Sequence, residues 1–447
     1  VSQKLKLFDI FGLGFMTFAF FLGAGNIIFP PKAGFMAGGQ MTPAMFGFLI
    51  TGVGLPLLGI LAVAFAGGGL PVMTRLLPAR IALMFGVALN LIIGPLFGTP
   101  RTGLVAYEIG VRPFLSHPGA LALLIFTVGF FGISMLLALT QGKLLDAVGK
   151  VLTPVLILLL LVLACAVIIA PQGTTPPATG DYISHPFFTG FLQGYNTMDT
   201  LASLMFGMLI IDVLKQRGIK DGLKLFKYLA CAGIISACGL IFVYVSLFYL
   251  GATSGGLLAH ANNGADIISA YVVSLFGQPG LMILAGIIML ACLTTSVGLI
   301  SAISDFLHQQ LKLFSYRKWV LLLGVSCMVV ANVGLTQLIK LSFPVLVFCY
   351  PVAIALVFLT FVRPKLVRPA MTYKIVLSVT ALFSLCDGLR TIHGEFALAP
   401  QWLALKFFDA LPLAGQGLAW VLPAAISLLA CTLLIRTPAP VGACSAT

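Results

Sequence analysis

Two glycines, an asparagine and a proline interrupt the first long apolar segment, in the run Phe20-Phe21-Leu22-Gly23-Ala24-Gly25-Asn26-Ile27-Ile28-Phe29-Pro30. A helix that merely anchors a chain in a membrane has no use for them. Glycine and asparagine tolerate non-helical backbone, so this is where such a helix can open. An opened turn bares N–H and C=O groups, which survive at membrane depth only where protein buries them or a cavity receives them. The run predicts an unwound helix that holds a polar guest in mid-membrane.

Composition supports the membrane setting: 60% of the 447 residues are hydrophobic and only 8% are charged. Apolar runs long enough to cross a hydrocarbon core of about 30 Å recur along the chain. They predict about twelve helices, at 9–30, 41–66, 81–106, 118–140, 151–170, 188–212, 224–251, 280–306, 317–334, 337–362, 373–392 and 415–435. No long charged or low-complexity segment separates them. The expectation is therefore an all-α integral membrane protein in which 1–447 form one transmembrane domain.

The net charge of +13 could point to nucleic acid, but its distribution points to topology. With the N-terminus inside, roughly 19 of the 25 Lys and Arg residues fall in cytoplasmic loops, among them Arg75, Arg80, Lys215, Arg217 and Lys227. The opposite side keeps Lys32, Arg101, Arg112, Lys340, Arg390 and Lys406. That asymmetry predicts an even number of spans with both termini cytoplasmic, and no nucleic-acid partner. Lys4 and Lys6 precede an apolar run too long for a secretory signal. The nine cysteines are scattered, form no CxxC pair and read as small buried apolar residues. The tail after Arg436 reads as disordered.

A second interruption, Gly190-Phe191-Leu192-Gln193-Gly194-Tyr195-Asn196-Thr197-Met198-Asp199, opens the sixth span. Broken helices five spans apart are what inverted five-helix repeats place around a transporter site. This divides the chain into a first repeat, 9–170, a second, 188–362, and extra helices at 373–435. In the eighth span, Thr294-Thr295-Ser296 sets three hydroxyls in a row. They can bond back to carbonyls one turn earlier, or offer hard neutral oxygens to an alkali cation.

Several of these motifs, in order, resemble the bacterial branched-chain amino acid:cation symporters of the amino acid–polyamine–cation superfamily. They are Gly14-Phe15-Met16 with Gly23 to Pro31, Gly98-Thr99-Pro100-Arg101-Thr102, Gly190 to Tyr195 with Thr197-Met198-Asp199, and Leu293-Thr294-Thr295-Ser296. The resemblance runs from about Asp9 to the last span. It implies the LeuT-type fold, a 5+5 inverted repeat plus two C-terminal helices. It also implies uptake of leucine, isoleucine and valine across the bacterial inner membrane, driven by sodium ion or, alternatively, by protons.

The resemblance carries over to particular positions. Gly23, Ala24, Gly25 and Asn26 match the unwound turn, where the N–H groups of Ala24 and Gly25 would receive the substrate carboxylate. A half-helix N-terminus suits an anion because free donors and a positive dipole end meet there. Carbonyls near Gln193, Gly194 and Tyr195 would take the ammonium group, and Phe20, Phe21 and Tyr195 would flank an aliphatic side chain. Sodium would lie among the carbonyls of Ala19, Leu22 and Ala291 and the hydroxyls of Thr294 and Thr295. Asn26 matches a second sodium position of some relatives, but its companions are not identifiable, so one cation is expected.

Where sodium-coupled relatives often carry a gating arginine after the asparagine, this chain has Ile27, Ile28 and Phe29. Arg101 is the candidate substitute, with Glu108 or Asp199 as its partner. An ionisable residue inside a span is a functional candidate by default. Asp199 would either bond unwound backbone or titrate in a proton-coupled cycle. Other classes find no support: there is no HExxH, no P-loop and no Ser/His or Ser/Lys set at mid-depth, and no βαβ unit surrounds Gly23-x-Gly25. An enzyme and an ATP-driven pump are thereby set aside. An exchanger or carrier of other neutral amino acids on the same fold stays open.

Overall fold

The computed structural model describes residues 5–139, 143–219, 221–258, 261–396 and 411–434, except for the side chains of 143–154, 395, 396 and 434. The predicted tail beyond Arg436, and Lys4, Lys220 and Lys406, lie outside the described residues. In chain order the helices are α1 (Leu7–Phe21), α2 (Ala24–Ala37), α3 (Met41–Leu49), α4 (Leu55–Ala66), α5 (Leu70–Met73), α6 (Ala79–Leu91) and α7 (Gly98–Gly110). Then come α8 (Ala120–Leu139), α9 (Lys143–Ile169), α10 (Pro186–Gln193), α11 (Asp199–Gln216), α12 (Gly222–Ala252) and α13 (Gly264–Leu311). The last are α14 (Tyr316–Ala331), α15 (Leu335–Val362), α16 (Pro369–Phe396) and α17 (Val421–Leu434). Among the described residues the only β pairing is in isolated bridges, between Thr174 and Gly255 and between Gly255 and Leu258.

Each predicted span overlies one of these helices or a consecutive pair. Among the described residues, seven continuous helical segments are long and apolar enough to cross a membrane, and α10 with α11 makes an eighth, bent by 43°. The shorter apolar helices α1, Val155–Ile169 and α17 account for further predicted spans. Two further interruptions lie within predicted spans, each beside glycine and proline. A π-helical turn at Ile50–Gly54 joins α3 to α4, and another at Ile92–Leu96 precedes α7, with Gly94 at non-helical φ/ψ. The segment 264–276 is the first part of α13, kinked from the rest at Gly277 (φ +66°), and it buries Ile267, Ile268 and Tyr271.

Glycine decides how closely the central helices approach. A Cβ on Gly34 of α2 would lie 2.8 Å from the carbonyl carbon of Phe248, and one on Gly251 of α12 would lie 2.8 Å from that of Pro31. Gly264 presses in the same way on Ile28, with 2.6 Å to its carbonyl carbon. Without a hydrophobic drive between helices in lipid, such backbone contact supplies the packing. It clamps α2 between α12 and α13, directly beyond the first break.

Candidate substrate and cation site

The first helix breaks where the residue pattern predicts. α1 ends at Phe21, Leu22 and Gly23 leave the helix, and α2 restarts at Ala24. Gly23 donates its N–H to the Phe21 carbonyl (2.7 Å) and, more weakly, to Asn26 Oδ1 (3.4 Å). Ala24 and Gly25 are then the first two residues of α2, whose N–H groups have no partner within their own helix. The Phe18 and Phe21 carbonyls are taken up, whereas no backbone N–H among the described residues bonds to those of Ala19 or Leu22. One break thus presents free donors at the start of α2 and free acceptors on the α1 side.

The sixth span breaks through a 3₁₀ turn, Gly194–Thr197, and restarts at Asp199 after Met198, which adopts a left-handed φ of +62°. Gly194 is packed against the π-helical turn of the second span: a Cβ there would overlap the Thr51 hydroxyl and lie 3.0 Å from the Phe48 carbonyl. Thr51 Oγ1 donates to the Phe191 carbonyl at 2.8 Å. Gln193 is half-buried and accepts from Asn196 Nδ2 at 3.0 Å. Tyr195 is fully buried and stacks on Tyr350 of α15 with ring centroids 4.2 Å apart; its hydroxyl has no hydrogen-bond partner.

A closed set of side chains joins the two breaks. Asn26 Nδ2 donates to Asp199 Oδ2 at 2.6 Å and also to the Tyr244 hydroxyl, which in turn donates to Asp199 Oδ2 at 2.9 Å. All three residues are buried. The Asp199 carboxylate therefore meets side-chain donors and not the unwound backbone that one of its two expected roles required. Its own N–H donates to Thr197 Oγ1 at 3.4 Å.

Arg101 enters from α7 and is equally buried. Nη1 donates to the Asn196 carbonyl at 2.5 Å and Nη2 to Ser342 Oγ at 3.3 Å, while the guanidinium lies 4.8 Å from the Phe29 ring centroid. The glycine at 25 eases its approach, since a Cβ there would sit 3.3 Å from Nη1. Arg101 thus touches both broken spans without the carboxylate pairing expected of it. Glu108 stands apart, bonded to Arg112, which also reaches Asp266 at 3.6 Å.

Thr294 and Thr295 on α13 both donate to the Ala291 carbonyl at 2.9 Å. These are the local back-bonds the residue types allow. The same turn nevertheless faces the first break, because Thr295 Cγ2 lies 3.9 Å from where a Cβ of Gly23 would be. The oxygens of Ala291, Thr294 and Thr295 and the carbonyls of Ala19 and Leu22 belong to adjoining elements and are chemically suited to a hard cation. Phe20 and Phe21 pack against Phe206 of α11, at 5.4 Å stacked and 5.9 Å edge-on. Among the described residues no cluster of His, Cys, Asp and Glu could hold a metal ion.

The family described as "Branched-chain amino acid transport protein" matches residues 6–437. The chain belongs to that family. It is 48% identical over 425 residues to the "Branched-chain amino acid transport system 2 carrier protein" of Pseudomonas aeruginosa, covering 95% of each chain. It is 42% identical to the "Branched-chain amino acid permease BrnQ" of Escherichia coli K12, covering 96% of each. Among solved structures it resembles Mhp1, a nucleobase-cation-symport-1 family transporter in a closed conformation with bromovinylhydantoin bound. There the TM-score is 0.59 at 14% identity, over 94% of this chain and 90% of the other. The fold is the LeuT type, and this branched-chain transport family is one of multi-pass membrane carriers, not enzymes.

Within this family member, sequence reasoning missed Tyr244, Ser342, Tyr350 and Thr51. Tyr244 had a readable signal, a phenol at the centre of the apolar run Ile241 to Leu250. The other three lie beside glycines or prolines (Gly52 and Gly54, Pro344, Pro351), but only packing brings them to the site.

Proposed function

We propose that the chain imports leucine, isoleucine and valine across the bacterial inner membrane by sodium-coupled alternating access, with both termini cytoplasmic. One observation carries this reading: two helix breaks, 173 residues apart in sequence, are joined through Asn26 and Asp199 beside the free N–H groups of Ala24 and Gly25. The substrate carboxylate binds at those N–H groups, and the ammonium at carbonyls of Gln193 to Tyr195. The aliphatic side chain lies against Phe20, Phe21 and Tyr195. Arg101 and Asp199 already have hydrogen-bond partners within the chain, which leaves neither free for an ionic substrate side chain. The names of the relatives support the same substrate class.

Sodium is held by the carbonyls of Ala19, Leu22 and Ala291 and the hydroxyls of Thr294 and Thr295. That set straddles the first and eighth spans, so a bound ion favours one arrangement of the bundle (spans one, two, six and seven) on its scaffold (three, four, eight and nine). Differential affinity for the two arrangements is the coupling. Proton coupling is the second reading, favoured by a buried carboxylate, Asp199, at the junction of the breaks. The deciding experiment is radiolabelled leucine uptake into proteoliposomes under separately imposed sodium and proton gradients. Uptake that follows the proton gradient alone would overturn the sodium reading.

A further inference from the structure

Tyr244 belongs to neither break and to none of the groups assigned above to substrate or sodium. It is nonetheless fully buried, and its hydroxyl completes the set with Asn26 and Asp199. We propose that Tyr244 is a positioning residue that holds the carboxylate-binding turn in shape from α12. The inference rests on the reading of Ala24 and Gly25 as that turn.

The path is short and each link is a named contact. Asn26 is the third residue of α2, and its side chain faces two ways. Oδ1 accepts from the Gly23 N–H at 3.4 Å, while Nδ2 donates to Asp199 at 2.6 Å and to Tyr244. An amide whose nitrogen is fixed by two acceptors has its oxygen fixed as well, because the two are ends of one planar group. The Tyr244 hydroxyl thus sets the Asn26 amide plane, the amide orients Gly23, and Gly23 directs the N–H groups of Ala24 and Gly25. Asp199 alone is a weaker restraint, since one acceptor leaves the amide free to swing about that bond.

The phenol ring is itself held. It meets Phe48 edge-on at 5.4 Å, and Phe48 meets Phe248 edge-on at 5.6 Å. Gly52, in the π-helical turn of the second span, leaves the ring its space: a Cβ there would sit 3.1 Å from Tyr244 Cε2 and 3.2 Å from Phe48 Cε1. The π-helical turn therefore connects to the site through this ring.

The test compares leucine with leucinol, which replaces the carboxylate by a neutral alcohol. The readouts are the leucine KM and the leucinol inhibition constant for leucine uptake into proteoliposomes. The wild-type protein favours leucine by about tenfold or more, the scale of charge-assisted hydrogen bonds. In Tyr244→Phe the leucine KM rises about tenfold while the leucinol constant moves by less than about twofold, so discrimination collapses. A preference unchanged from wild type, or an equal loss for both ligands, overturns the positioning role and leaves the carboxylate turn standing. A wild-type protein that fails to discriminate overturns the reading of the turn itself. Gly52→Ala shifts the ring but keeps the hydroxyl; it lowers the preference in the same direction by less. If Tyr244→Phe does not fold, that variant decides, and an undiminished preference there overturns the proposal.

Discussion

Asn26 Nδ2 lies 2.6 Å from Asp199 Oδ2, so α2, beyond the first break, is bonded to α11, beyond the second. The two breaks behave as one structural unit. Removing either partner leaves the other only its remaining bonds, including the one to Tyr244, in a buried place where water cannot replace the one lost.

Asp199→Asn keeps an acceptor for Asn26 and Tyr244 but removes the charge. Sodium-driven leucine uptake is expected to persist within about tenfold of wild type, the worth of one charged hydrogen bond. Uptake at background in a folded, monodisperse variant would instead transfer the coupling to Asp199. Asp199→Leu leaves two donors unpaired and is expected to lower stability by about 1–3 kcal/mol, read by thermal unfolding in detergent.

Thr294→Ala with Thr295→Ala removes two of the proposed sodium oxygens and leaves the backbone ones. The sodium concentration giving half-maximal uptake is expected to rise about tenfold or more, with the leucine, isoleucine and valine ranking unchanged. Unaltered sodium dependence would remove these hydroxyls from the site.

Arg101 bonds the Asn196 carbonyl and Ser342 and lies over Phe29, a planar fork that a lysine does not reproduce. Arg101→Lys is expected to slow transport about tenfold or more while equilibrium leucine binding stays within about threefold, because the contact joins α7 to both broken spans. Parallel loss of binding and transport would make Arg101 a ligand-binding residue, not a gating one.

Gly194→Ala places a methyl group against the Thr51 hydroxyl and the Phe48 carbonyl. The expected cost is about 1–3 kcal/mol of stability, read as a lowered Tm in detergent. Thr51→Ala in the same chain should recover part of it, and strict additivity of the two would show that they do not meet.

What could be read from the chain were the features with a local cause. Apolar runs of membrane length marked the helices, because a span must satisfy its backbone within itself. Glycine and asparagine at 23–26 and glycine at 194 marked the breaks, because open backbone needs residues that tolerate it. The same local logic recovered the Thr294 and Thr295 turn. It misjudged the partners of Arg101 and Glu108, because a charge finds its partner through tertiary contact. Glu108 found Arg112 one helical turn away, and Arg101 found a carbonyl bared by the second break.

By itself, then, the sequence determined that helices cross a membrane, that two of them open, and what chemistry each opening can offer. Tertiary structure alone decided that the openings meet. It did so by bringing Asn26, Asp199 and Tyr244 from three spans to one point and seating Arg101 against Gly25. The physical reason is one of range. Helix propensity and backbone freedom act over a few residues, but a buried donor must be matched by whatever acceptor the packing of distant helices delivers.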